Sequence, residues 1–344
     1  MQVGVNYPWR DYGWDFGVAP PGWRGDQADP RWYGTIDDHL QRFLNLGISV
    51  VRWFILADGL TYGTGNSAPY PDPAAEGEWR FDPPPPFPEI AQHFEELLQR
   101  FENINRITPQ PIRLLPVFID FHFCEPGIAI PDQENPQAAN PHPGWVKQGR
   151  SDAITDASKR QRFLDQAFDP LLRVSQTHAD VIYAWELINE PDWVTNTWNP
   201  DGQSNHPVDA ASMQAFIEEG KERVRAAGLK PTIGFASVDT LRKSGITADI
   251  NQFHHYPGGR KTLERIGFDP RYPGIVGEFA TSPADIWPEL KKDGQTVLNR
   301  LRQVDIQGYP LAIPWSFLAE DQHTSWTADV ERDLECFTQG RNCP

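Results

Sequence analysis

Two carboxylates stand where short apolar runs end. Glu190 follows Val181–Ile188 in Asn189-Glu190-Pro191, and Glu278 follows Gly274–Gly277, 88 residues further along the chain. A Glu in such a position is in general a surface or helix-entry group, but two delivered to one place can do chemistry. Paired carboxyls whose surroundings push their proton affinities apart can divide the work of acid and nucleophile, which is what cleavage of a glycosidic bond requires. The separation decides the route: about 5–5.5 Å permits a covalent, retaining reaction, and roughly 6.5–9.5 Å leaves room for the water of an inverting one.

Other polar residues end apolar runs in the same way. They are Arg52 in Val50-Val51-Arg52-Trp53, His122 in Ile119-Asp120-Phe121-His122, the pair His254-His255 before Tyr256, and Trp315 in Pro314-Trp315-Ser316. Arg52 could balance a buried acid such as Glu186, read as structural. Asp120 and Arg113 read as core or lower-barrel polar groups.

The elements that must carry these residues alternate through the whole chain. Strand-like runs read Val3–Asn6, Ile48–Leu56, Ile112–Asp120, Val181–Ile188, Thr232–Ala236, Ile250–His254, Gly274–Gly277 and Leu311–Trp315. Several are near-continuously apolar, as strands buried on both faces should be. Between them lie helix-period segments, clearest in Ile90, Phe94, Leu97, Leu98, Phe101 and Ile104. The others are Ile36–Leu46, Arg162–Val174, Met213–Ala227, Leu241–Ser244, Leu263–Ile266, Glu289–Val304 and Val330–Phe337, with Gly47 and Gly228 placed to end two helices. Eight βα pairs without a linker predict an α/β chain folded as a single (β/α)8 TIM barrel over residues 1–344. Connections after strands are long (Tyr7–Gly34, Ala57–Pro86, Phe121–Thr155), which elaborates the face where barrel enzymes keep their reactive groups.

The ordered set resembles glycoside hydrolase family 5, the cellulase-like family of clan A. That family carries Arg on strand two, His on strand three, Asn-Glu on strand four, His-x-Tyr on strand six, Glu on strand seven and Trp on strand eight. Here the matching residues are Arg52, His122, Asn189-Glu190, His254 and Tyr256, Glu278 and Trp315. The resemblance implies a retaining β-glycoside hydrolase with Glu190 as acid/base and Glu278 as nucleophile. It implies that Asn189 donates to the sugar 2-hydroxyl, that His122 and His254 bind hydroxyls or tune the pair, and that Trp315 forms a stacking floor. It also implies a non-proline cis peptide between Trp315 and Ser316. Glu278 should stay ionised if Arg52 and Tyr256 both donate to it.

Nine of the 13 Trp fall in segments after strands: Trp9, Trp14, Trp23, Trp32, Trp79, Trp145, Trp193, Trp198 and Trp326. Apolar sugar faces stack on such rings, and Trp9 and Trp193 lie nearest strand ends, while others must pack the loops. The expected partner is therefore a carbohydrate: a β-linked glucan, mannan or short oligosaccharide. Another clan A glycosidase acting on galactosides, xylosides or glycolipids, or a carbohydrate-binding barrel without turnover, are the alternatives.

No cofactor is expected. His122 with Glu125, plus His254 and His255, could suggest a metal, but hydrolase barrels of that kind place H-x-H on strand one, where this chain has Asn6-Tyr7-Pro8. No D-x-[DN]-x-[DN]-G calcium loop is present. A net charge of -16 argues against nucleic acid, and no apolar run approaches the 18 residues of a membrane span. Cys336 and Cys343 could pair or remain free thiols. The first strand starts directly after Met1, so the chain is either intracellular or the processed form of a secreted protein, with secretion preferred.

Overall fold

The computed structural model describes residues 1–10, 15–16, 33–59, 89–129, 146–198, 207–256, 274–283, 296–318 and 324–341. Eight parallel strands close into a barrel. In chain order they are β1 Gln2–Asn6, β2 Val50–Phe54, β3 Arg113–Asp120, β4 Trp185–Asn189, β5 Pro231–Phe235, β6 Ile250–His255, β7 Gly274–Ala280 and β8 Leu311–Trp315. Each pairs with the next, and β8 returns to β1. All eight runs anticipated from the sequence are strands of this barrel.

Two strands, β2 and β4, fall short of their apolar runs by more than one residue, for a common reason. Val181 lies in a 3-10 turn at Ala179–Val181, and Ile48, Ile55 and Leu56 flank β2, yet all four are buried. Apolar residues beyond a ladder's end serve the core as well as those within it, so the run overstates the strand.

The helices lie where the 3.6-residue period put them. Glu89–Asn105 buries Ile90, Phe94, Leu97, Leu98, Phe101 and Ile104. The segment expected at Arg162–Val174 is the middle of a longer run from Ala157 to Thr177, interrupted by a π turn at Leu164–Phe168. Pro170, two residues beyond that turn, has no N–H to continue the ladder, which accounts for the local widening. Tyr33–Asn45, Ala210–Ala226, Val238–Ser244, Val297–Ile306, Ala328–Thr338 and a single turn at Asp152–Thr155 are the other α-helices among the described residues. Gly47 and Gly228 follow their helices with φ of 72° and 76°, as anticipated. The helix expected at Leu263–Ile266, the start of Glu289–Val304 and most of the long connections lie outside the described residues.

The ends of the barrel differ in chemistry. Val50, Leu115, Ala184, Ile275, Leu311 and Ile313, mostly from the beginnings of strands, form an apolar cluster. Higher in the barrel the buried residues turn polar: Asn6, Arg52, Glu186, Asn189, Thr232, Gln252, His254 and Glu278. Cys336 is disulfide-bonded and Cys124 is a buried free thiol. Among the described residues no helix is long and apolar enough to cross a membrane.

Candidate active site

Strand register brings the reactive residues side by side at the carboxyl end of the barrel. Asn6 pairs with Arg52, Asp120 with Asn189, Asn189 with Gly234, His254 with Glu278, and Ala280 with Trp315. Parallel pairing at equal height turns residues far apart in sequence into neighbours.

Arg52, fully buried on β2, is the hub. Its Nε and Nη2 donate to the two oxygens of Glu186 at 2.7 and 2.6 Å, and Nη2 also donates to Asn189 Oδ1 at 2.7 Å. Its Nη1 donates to Asn6 Oδ1 at 2.8 Å and Glu278 Oε1 at 2.7 Å. All five N–H groups of the guanidinium are thereby used. Gln252 Nε2 adds a bond to Glu186 Oε2 at 2.8 Å. Arg52 thus balances Glu186, as read from the sequence, and reaches Glu278 as well. Gly234 makes this packing possible, because a Cβ there would stand 2.3 Å from Glu186 Oε1 and 3.0 Å from His254 Nε2.

Glu278 receives Arg52 on one oxygen and the Tyr256 hydroxyl on the other, at 2.7 Å. Burial raises its proton affinity, while His254, Arg52 and the Tyr256 bond pull it down; the net direction is up. The donors hold the carboxylate without fully offsetting its desolvation.

Glu190 sits one residue past β4 in the left-handed conformation, with φ 46° and ψ 49°. A non-glycine residue held there stores strain of about 1 kcal/mol or more, persisting only where neighbours enforce it. Here the Glu190 N–H donates to Gly234 O at 2.6 Å, and Ala236 N–H donates to the buried Asp192 Oδ1 at 3.0 Å. The Glu190 carboxyl takes the Trp193 indole N–H on Oε2 at 2.8 Å and meets His254 Nδ1 with Oε1 at 2.7 Å. Burial, with the charge of Asp120 beside it, pushes this carboxyl up to about 7. His254 is driven by burial down to about 4 and is neutral at pH 7. Its Nδ1 also stands 3.5 Å from Glu278 Oε2. One oxygen of Glu190, one of Glu278 and a ring nitrogen of His254 all lie within 4.8 Å of one another. Such a trio could hold a divalent cation, but the hydrogen bonds around it already occupy the same atoms.

His122 stands in a short turn after β3, 43% exposed along its side chain, paired with Glu125 through Nδ1 and 3.9 Å from Asp120 Oδ2. Burial alone would lower it, yet the Glu125 bond and the charge of Asp120 raise it to about 9. Asp120 accepts from Asn189 Nδ2 at 2.8 Å. It is therefore a residue of the barrel mouth, a correction to its reading as a lower-barrel group. Residues alternate inside and out along a strand, but which neighbour Asp120 meets depends on the β3–β4 register, to which sequence offers no key.

Trp315 ends β8 and precedes the cis peptide to Ser316. It packs edge-on against Phe54, as Trp9 does from the segment after β1, with ring centroids 6.4 and 6.1 Å away. Phe54 therefore joins two half-exposed indoles into an aromatic wall. Trp198 is buried against Phe235, and Trp326 packs on Phe317 while donating to Glu331. These two pack loops. Trp14, Trp23, Trp32, Trp79 and Trp145 lie outside the described residues.

The barrel resembles solved structures at low sequence identity. An endo-1,4-beta-mannanase from Eisenia fetida is 18% identical, with a TM-score of 0.64 over 100% of this chain and 92% of that one. A beta-1,4-D-mannanase from Cryptopygus antarcticus is 15% identical, with a TM-score of 0.67 over 100% and 91%. A GH5_18 from Bifidobacterium longum subsp. infantis is 13% identical, with a TM-score of 0.55 over 100% and 80%. At such identities the likeness is one of fold. No family model and no curated protein matches the sequence.

Proposed function

We propose that the protein is a retaining β-glycoside hydrolase of the family 5 type. One observation carries the reading: one oxygen of Glu190 and one of Glu278 lie within 4.8 Å of each other, in unlike surroundings. So close an approach favours the covalent route, because an inverting enzyme needs space for water between its carboxyls. Glu278, held by Arg52 and Tyr256, is the nucleophile. Glu190, with its affinity raised to about 7, keeps a proton near neutrality and is the acid/base. Asn189, fixed by Arg52 and Asp120, has one amide hydrogen uncommitted among the described residues and able to meet a sugar hydroxyl. The wall of Trp9, Phe54 and Trp315 offers an apolar face for the ring.

The substrate class is a β-linked polysaccharide or its oligosaccharides. Mannan is favoured over glucan by the two mannanases that share the fold. The test is sugar release from mannan, glucan, xylan, their oligosaccharides and aryl β-glycosides, with Glu278→Gln alongside. Release from one class that Glu278→Gln abolishes supports the reading; equal turnover by the variant refutes it. For the roles, azide is expected to restore turnover to Glu190→Gly with retention at the anomeric carbon. Binding without release would favour a carbohydrate-binding barrel.

A further inference from the structure

Trp193 was expected among the aromatic residues that stack on sugar, but its polar atom is engaged elsewhere. The indole N–H donates to Glu190 Oε2 at 2.8 Å, three residues back in the same turn. The turn itself is clamped, by the Glu190 N–H on Gly234 O and by Ala236 N–H on buried Asp192, which fixes the backbone that carries both side chains. Glu190 Oε1, by contrast, faces His254, whose Nδ1 it shares with Glu278. The two oxygens of one carboxyl therefore see different surroundings: Oε2 meets a donor that can never accept, while Oε1 meets an imidazole nitrogen that can accept a proton and stands beside the second carboxylate.

We infer that Trp193 is a positioning residue for proton transfer: its indole N–H pins Oε2 of Glu190 and leaves Oε1 as the oxygen that protonates the leaving group. This rests on the hydrolase reading above. An N–H bond is stronger to the carbonyl oxygen of a carboxylic acid than to its hydroxyl oxygen, so the proton is biased to Oε1. In the first step the O–H bond at Oε1 breaks as a new O–H bond forms on the glycosidic oxygen. That oxygen keeps the electron pair of its broken bond to the anomeric carbon, and a Glu278 oxygen forms the new bond to that carbon. Glu190 is left as a carboxylate, whose charge the indole N–H then meets.

Trp193→Phe keeps an aromatic ring and deletes the donor. Because the indole acts on leaving-group protonation, the loss in kcat/KM should grow with the basicity of the leaving group. It should be about tenfold or more larger on an unactivated oligosaccharide than on the dinitrophenyl glycoside of the same sugar, which needs little protonation. Loss of ring packing alone would lower both alike, and equal losses would overturn the inference. A second measurement does not depend on the variant folding or on activity. In 15N-tryptophan-labelled wild-type protein, the Trp193 indole resonance, assigned by its absence from Trp193→Phe or by its contacts to Glu190, should move as Glu190 ionises. It should stay still over the same range in Glu190→Gln; a resonance that ignores pH in the wild type refutes the contact. Failure of the wild type to release any sugar would instead count against the hydrolase reading, and the indole titration would still decide the contact.

Discussion

The guanidinium of Arg52 joins Glu186 to Glu278, gripping the first through Nε and Nη2 at 2.7 and 2.6 Å and reaching the second through Nη1 at 2.7 Å. One cation thus stands between a carboxylate within the barrel and the carboxylate at its mouth. All three side chains are almost wholly shielded from solvent. Removing the cation leaves two buried negative charges without their partner. Arg52→Met is expected to destabilise the fold by about 3–5 kcal/mol, the usual cost of breaking a buried ion pair from one side. Chemical denaturation at pH 7 checks this, and a change below about 1 kcal/mol would contradict the network.

Tyr256 tests the upper end of that network. Its hydroxyl lowers the proton affinity of Glu278, so Tyr256→Phe should raise it further. Since the nucleophile must be ionised, the acidic limb of the kcat/KM profile should move to higher pH, while the basic limb stays in place. A displaced basic limb would assign the tyrosine to the other carboxyl.

Glu190 must carry a proton to act as acid, and its affinity lies near 7. Activity should therefore fall as pH rises through about 7. In Glu190→Gln that limb should vanish along with most of the turnover on substrates with poor leaving groups, a loss of about a hundredfold or more. Stopped assays across pH 4 to 9 read both effects.

Stability should depend on pH in the same region. Glu190 and Asp192, both about 7 when folded against ordinary values of 4.5 and 3.8, bind protons more tightly in the native state, so their contribution is lost as pH rises toward 7. His122, raised from 6.5 to about 9, adds a loss in the same direction between those values. His254, lowered to about 4, works oppositely but only below 6.5. The net expectation is a denaturation midpoint that declines from about pH 4 to about pH 9, less steeply below 6.5 where His254 offsets part of the loss. Asp192→Asn, which keeps the acceptor for Ala236, should flatten the part of the decline between about pH 4 and 7.

Gly234→Ala puts a methyl group 2.3 Å from Glu186 Oε1 and 2.9 Å from Gln252 Nε2. The acceptors of Arg52 cannot retreat without breaking its fork, so a loss of about 1–3 kcal/mol is expected, with activity reduced in the protein that remains folded. Thermal unfolding and specific activity on one preparation separate the two effects.

The eight strands and the catalytic candidates were legible because each rests on a short-range pattern. Apolar runs mark strands buried on both faces, and the polar residue that ends a run marks the barrel mouth. Partnership was less legible. Arg52 could be matched with Glu186, but Gln252, which completes that acid's hydrogen bonding, carries no signal of its own in Ile250–His255. Asp120 reads in the sequence as a core or lower-barrel group although it ends its own apolar run; that its partner is Asn189 is a property of register. Trp193 could be placed beside Glu190, while the direction of its N–H is set by a left-handed turn that the motif Asn-Glu-Pro does not announce. Asp192 carries no signal of its own in the sequence, and its burial against β5 distinguishes it.

Because every N–H of Arg52 is already engaged, the hub of the barrel has no spare donor. A change in any of Asn6, Glu186, Asn189 or Glu278 leaves a donor unmatched in the interior, so a lineage cannot alter these positions one at a time without a loss in foldability. Residues that do not touch Arg52 are outside that constraint. Divergence in this architecture is therefore channelled outward, and new specificities would arise by exchanging loops around a centre inherited as a block.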